Sequence, residues 1–283
     1  MPAAFAVSRD VILLHAGKLP AAPQVLGGLC ELLQDVNTDL EQIAEQVRMD
    51  PALSARVIRM SNSVVFGGRG SVASVDEAVG RVGFSEIVRL VGVATVAGLV
   101  DRSLTAYDLT ADRLRESLLM HALASETLAG ETSVEPHTAY AGGLLRGIGM
   151  MVLDRVARGR DAKAPDFDAT KFASYAEWER QRFGITASEV ATMILEDWRF
   201  PAELIRGIER HLEPADDTAE PFPALLNLAG SVAAANGFCL AGEQQAWTVT
   251  PAKLAAAGLT AEQVEGAGEQ ARTAFERHRH GLY

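Results

Sequence analysis

Apolar residues recur along most of this chain every three to four positions, the spacing of one face of an α-helix, whereas strand-like alternation is nearly absent. In PALSARVIRMSNS, Leu53, Val57 and Met60 fall on one face while Arg56 and Arg59 fall on another, the pattern of an amphipathic helix packed on a core. The same reading predicts helices over 22–35, 39–48, 75–82, 86–101, 111–131, 137–157, 175–183, 187–198, 201–211, 223–237 and 260–280. No period of fixed length recurs, so the chain is not a repeat array.

Capping signals punctuate these helices. Thr38 with Glu41, Ser74 with Glu77 and Thr186 with Glu189 have the spacing of capping boxes, in which the hydroxyl and the glutamate satisfy each other's backbone amides. Asp50-Pro51 pairs a capping carboxylate with a proline whose fixed φ suits the first helical position. Residues 158–174 and 213–222 are polar and read as surface loops, and 101–110 lacks helical periodicity and ends on a cap at Thr110. The expectation is an all-α fold of two packed helical subdomains, 18–101 and 110–237, with 238–283 as a C-terminal helical extension.

The most apolar stretch, IVRLVGVATVAGLV, is about six residues short of a membrane span and carries Arg89, so it is expected to be a buried central helix. Hydrophobic content of 48% with 22% charged residues is that of a globular protein. The formal charge of −11 argues against nucleic-acid binding, which requires a clustered basic surface. Cys30 and Cys239 have neither zinc-site nor disulfide spacing and are expected to be small core residues. With an N-terminus lacking the basic and long apolar regions of a signal peptide, this predicts a cytoplasmic protein.

Common enzyme signatures are missing: there is no phosphate loop, no nucleophile elbow and no strand from which a dinucleotide fold could start. FGGRG (66–70) could offer backbone amides and Arg69 to a phosphate, but a turn between helices is the plainer reading. Of six histidines, His278 and His280 lie in a charged tail and are expected to be solvated. His15 and His137 lack neighbours at ligand spacing. His121 and His211, each inside a helix, remain, and two imidazoles alone make a weak divalent site. A last peculiarity is YAGGLLRGIGMMVLD (140–154), where four glycines and one arginine interrupt a core-like helix. Each glycine weakens such a helix by about 1 kcal/mol relative to alanine.

DPALSARVIRMSNS followed by SVDEAVGRVGFSEIVRLV resembles the N-terminal signature of the HDOD (HD-related output domain) family of bacterial signalling proteins, and the likeness extends over about 18–237. It implies that the C-terminal subdomain is a degenerate HD-superfamily bundle. In the phosphohydrolases of that superfamily the helix corresponding to 140–154 carries an adjacent His-Asp pair that holds catalytic metals. Here Arg146 and Gly147 stand in those places, further ligand positions fall near Ala187 and at Leu212, and only His121 and His211 resemble ligands. An arginine stays protonated, and at about 5 Å and an effective dielectric of about 20 it would repel a divalent ion by roughly 6 to 7 kcal/mol. The resemblance therefore implies a site without metal or other cofactor.

Arg146 has two open readings. It forms an ion pair with an acid such as Glu126 or Glu189, or snorkels to the surface. Alternatively, with His121 and His211, it lines a remnant pocket for a phosphate or carboxylate, with Trp198 packed beside it. The expected function is a non-catalytic signal-transduction module whose partners are other signalling proteins. The alternatives are a metal-dependent phosphohydrolase acting on cyclic dinucleotides through an altered ligand set, and a non-hydrolysing nucleotide sensor.

Overall fold

Asp50 opens the helix that its chemistry requires: its carboxylate accepts from the amides of Ala52 and Leu53, and Pro51 takes the first helical position. The computed structural model describes residues 7–19, 22–32, 38–63, 71–160, 166–213 and 220–283. Among these the fold is all-α, with no strand and a single bridge between Leu104 and Leu109. The first half holds α1 (Arg9–Ala16), α2 (Ala22–Leu32), α3 (Leu40–Arg48), α4 (Pro51–Ser61), α5 (Val75–Val82) and α6 (Phe84–Leu99). A 3₁₀ turn at Thr105–Tyr107 leads into α7 (Ala111–Ala129), α8 (Pro136–Leu145) and α9 (Ile148–Arg160). After these come α10 (Tyr175–Phe183), α11 (Ala187–Asp197), α12 (Ala202–Arg210), α13 (Pro221–Ala235), α14 (Pro251–Ala257) and α15 (Ala261–His278).

The apolar run around Arg89 is indeed a buried central helix, α6, with Ile87, Leu90, Val91, Val93 and Val96 fully enclosed. No described helix is long and apolar enough to cross a membrane. Helix α7 is the second axis of the core, packing along α8, α13 and α15. Helix α1, which the apolar spacing did not mark, lies against α9 and α11, and the Val7 amide donates to the Phe183 carbonyl at 3.0 Å.

Several local expectations are corrected. Helix α3 is capped by Asp39 with Gln42 in a full capping box, while the Thr38 hydroxyl donates instead to the Leu32 carbonyl. Ser74 caps α5, but Glu77 accepts from Ala73, one residue before the cap. Thr186 and Glu189 form the predicted reciprocal box. Cys239 is half-buried rather than in the core. Cys30's side chain and FGGRG lie outside the described residues.

His278 is buried, not solvated. Its Nε2 lies 2.5 Å from Glu86, and Arg89 joins Glu86 (3.1 Å) and Glu126 (2.9 Å). His137 lies 3.6 Å from Glu126, so this ionic chain ties the end of α15 to α6, α7 and α8. A charged sequence hid a buried residue because its carboxylate partner, Glu86, comes from 192 positions away.

The predicted 137–157 helix divides in two. Arg146 and Gly147 form a turn between α8 and α9, which continue beyond it. The flanking glycines explain the composition of this stretch. A Cβ on Gly143 would come within 2.5 Å of Ala122 Cα on α7, and one on Gly149 within 1.9 Å of the Ala187 carbonyl oxygen at the start of α11. Backbone meets backbone at both places, so no side chain fits. Gly159 on α9, with nothing within 4 Å of its would-be Cβ, is the contrast.

Gly149→Ala should therefore destabilise the fold by about 1–3 kcal/mol through overpacking. Gly159→Ala should stabilise it by about 1 kcal/mol through helix propensity. Urea unfolding of the two variants checks the opposite signs.

Candidate functional site

Three helices and one irregular segment converge where α8 meets α9. His121 comes from the middle of α7, Arg146 from the turn after α8, and His211 from the C-cap of α12. All three sequence candidates come together there: the imidazole centroids are 6.5 Å apart, and Arg146 is close enough to both rings to depress their basicity. Each is at least nine-tenths buried.

The partner of Arg146 is neither Glu126 nor Glu189. Its Nη1 donates to Glu243 Oε1 at 2.7 Å and its Nη2 to Ser117 at 3.3 Å, while its Cζ lies 5.5 Å from the centre of the Trp247 ring. Trp247 also stacks on His211 (6.1 Å between centroids, 30° between planes) and meets His121 edge-on at 5.4 Å. Glu243 and Trp247 belong to the segment between α13 and α14, which threads back over the site. Asn227 on α13 donates to the carbonyls of His211 (2.8 Å) and Ala246 (3.2 Å), and buried Lys253 on α14 donates to Ala246 (3.2 Å) and Thr248 (2.8 Å). Trp247 lies flat against Gly230, where a Cβ would come within 2.2 Å of the indole.

Sequence reasoning missed Glu243 and Trp247. Glu243 ends a single 3₁₀ turn (Ala241–Glu243) and Trp247 follows it outside any helix, a stretch with no apolar periodicity, so no local signal marked them. Trp198 ends α11, half-buried and packed against the core as expected, but it does not line the cavity beside Arg146.

The histidine tautomers follow from their partners. His121 Nε2 lies 2.8 Å from the Leu226 carbonyl and His211 Nδ1 lies 2.7 Å from the Ile208 carbonyl. A carbonyl only accepts, so each of these nitrogens carries the proton and the other carries a lone pair. Those second nitrogens, His121 Nδ1 and His211 Nε2, have no partner among the described residues, nor has Glu243 Oε2. Burial, then the Arg146 charge, drives both imidazoles to the neutral form: His121 well below its ordinary value, His211 to about 3.

Beside this cluster lies an open-sided cavity of about 550 Å³, lined by Arg146, Glu179, Ala187, His211, Leu212 and Glu243 among others. Neither His121 nor Trp247 lines it; His121 meets Trp247 edge-on and lies 6.5 Å from His211 between ring centroids. Glu179 is buried, with its oxygens accepting from the Tyr107 hydroxyl and the Ala187 amide, both at 2.7 Å. Burial outweighs those two hydrogen bonds and pushes its carboxyl up to about 7.

The residues do not fit the dinuclear metal centre implied by the HD superfamily. Ala187 and Leu212 offer no donor atoms, and Arg146 brings a fixed cation to the two imidazoles. At Gly147 a Cβ would point to within 2.9 Å of Leu118, an apolar wall where the superfamily needs a carboxylate. No group of three or more His, Cys, Asp or Glu among the described residues is placed to hold a metal ion.

Two predictions follow from the burial of these groups. Glu243→Ala leaves a buried arginine unpaired and should cost about 3–5 kcal/mol, whereas replacing Arg146 and Glu243 together by Met should recover most of it; a double-mutant cycle in urea measures both. For pH, the unfolded histidines take up protons below about 6.5 while the folded ones stay neutral, so stability drops as pH falls from there towards 3. Glu179 has the opposite sign, since its stabilisation is full at low pH and is lost as pH rises through 7. Between pH 6.5 and 5, two imidazoles oppose one carboxyl, a net loss from this cluster of about 1 kcal/mol per pH unit on acidification. Glu179→Gln should steepen that slope in pH-dependent urea midpoints.

The fold agrees with known proteins. A "Putative phosphohydrolase" from Shewanella amazonensis SB2B superposes with a TM-score of 0.65 at 20% identity, covering 96% of this chain and 98% of that one. A "Putative signal transduction protein" from Marinobacter aquaeolei VT8 superposes with a TM-score of 0.69 at 21% identity, covering 97% of this chain but 65% of that one. An HDOD domain protein with unknown function from Geobacter sulfurreducens gives 0.64 at 16% identity, over 98% and 92% of the two chains. At these identities the likeness is one of fold. No functionally curated protein matches the sequence. The family model of the HDOD domain, however, matches residues 19–214, well over half of the chain, and the chain therefore belongs to the HDOD domain family.

Proposed function

We propose that this protein is a non-catalytic bacterial signal-transduction module that acts through contacts with other proteins, its HD metal site dismantled. The observation that carries the reading is the buried Arg146–Glu243 pair, packed under Trp247 and beside His121 and His211. A guanidinium held there by a carboxylate and an indole cannot serve as a metal ligand, since it has no lone pair to give. The carboxylate that would bridge metals is a glycine facing Leu118. What the site does supply is rigidity: one ion pair and one stacked indole join α7, α8, α12 and the segment before α14. Such a fixed arrangement of helices suits recognition of partner surfaces rather than turnover.

The competing reading is a metal-dependent phosphohydrolase with an altered ligand set. Elemental analysis of protein purified without chelator, combined with assays on cyclic di-GMP and p-nitrophenyl phosphate, separates the two. The proposal expects far less than one iron, manganese or zinc per chain and no turnover above a blank. Stoichiometric metal accompanied by hydrolysis that Arg146→Ala alters would overturn it. Arg146→His with Gly147→Asp should fail to restore metal binding, because Leu118 occupies the side on which the new carboxylate must point. Partners captured from native lysate and identified by mass spectrometry should rebind the purified protein at defined stoichiometry.

A further inference from the structure

Among its charged side chains the cavity beside Arg146 has an excess of acidic over basic groups, the reverse of what an anion needs. Five glutamates and two arginines line it. Both arginines are already paired, Arg146 with Glu243 at 2.7 Å and Arg180 with Glu189 at 3.0 Å. Glu179 forms no ion pair among the described residues and is held only by a phenol and a backbone amide. Three further buried atoms of lining residues lack a partner among the described residues: two acceptors, Glu243 Oε2 and the lone-pair nitrogen His211 Nε2, and one donor, Arg146 Nε. A buried acceptor left unsatisfied is costly, so Glu243 Oε2 and His211 Nε2 each call for a donor from outside the fold.

We propose that this cavity binds a small organic cation carrying several N–H donors, a primary amine or diamine, between Glu179, Glu243 and His211. An ammonium group supplies both things missing from the lining: positive charge for Glu179, and hydrogens for the unpartnered oxygen and nitrogen. A bare metal ion is a poorer occupant, because its ligand count is not met and Arg146 stands in the cluster. The volume of about 550 Å³ falls in the range of small-molecule sites. A phosphate or nucleotide is disfavoured in this cavity for a simple reason: Arg146, the arginine expected to anchor it there, is already neutralised by Glu243. The inference goes beyond the adaptor reading and does not depend on whether the protein hydrolyses anything.

Isothermal titration of the full chain with 1,4-diaminobutane and with spermidine at pH 7.5 tests it, with inorganic phosphate, cyclic di-GMP and manganese chloride as the other arms. Saturable one-to-one binding of an amine is expected, weakened at least tenfold in Glu179→Gln. Glutamine is tolerated at 179, since its oxygen still accepts from Ala187 while its amide donates to the Tyr107 oxygen. Glu243→Gln, which keeps an acceptor for Arg146, is the second variant and should also lose at least tenfold. Glu45→Gln, an exposed acid far along the chain, should bind as the wild type does. Circular dichroism melting shows that each variant is folded. Absence of saturable amine binding, amine binding that both site variants retain, or tighter binding of phosphate, cyclic di-GMP or manganese than of either amine overturns the proposal.

Discussion

The architecture of the site depends on two places where helix backbones touch without side chains between them. Gly143 brings α8 onto α7 and Gly149 brings α9 onto α11, each so closely that a methyl group would collide with main-chain atoms. Between those two contacts the chain turns, and the turn residue is Arg146. Its guanidinium is thus carried into the centre of the bundle by backbone packing, and a charge delivered there must be paired. Glu243 pairs it, Trp247 covers it, and the segment that holds both is itself fastened by Asn227 and Lys253. The glycines that weaken the helix locally are what allow the helices to pack this closely.

An HD-type metal centre and this site place different demands on the same framework. A metal centre needs carboxylates and imidazoles with free lone pairs turned inward. Here the two imidazoles remain, each tied by one nitrogen to a carbonyl. The cation beside them, Arg146, is covalently part of the chain. The resident guanidinium closes a buried ion pair with Glu243, and a guanidinium brings no Lewis acidity. The neighbouring cavity is then left with acceptors that Arg146 does not reach.

Much of this was legible in the sequence. The helical period, Asp50-Pro51, Thr110 and the Thr186–Glu189 box are local signals, and local backbone chemistry enforces them. The expectation that Arg146-Gly147 stand where a His-Asp pair would comes instead from the resemblance to a known family. The convergence of His121, Arg146 and His211 was also visible once the order of helices was matched to a known arrangement. The failures share one cause. Glu243, Trp247 and the buried His278 lie in stretches without apolar periodicity, and each acquires its environment from residues far away in the chain.

By itself, then, the sequence determined that the chain is helical and where most helices begin, because these follow from residue type and near-neighbour spacing. Its resemblance to a known family supplied the expectation that Arg146 stands where a metal ligand would. Only the tertiary structure decided which acid neutralises Arg146, which tryptophan covers the histidines, and that the cavity beside them is rich in acceptors rather than in cations. Pairing of buried charges is a contest among all acids that the fold can bring within a few ångströms, and sequence separation carries no information about its winner. Glu126 and Glu189 lie nearer along the chain, yet both are engaged elsewhere, by Arg89 and Arg180, and the acid that reaches Arg146 is 97 residues distant.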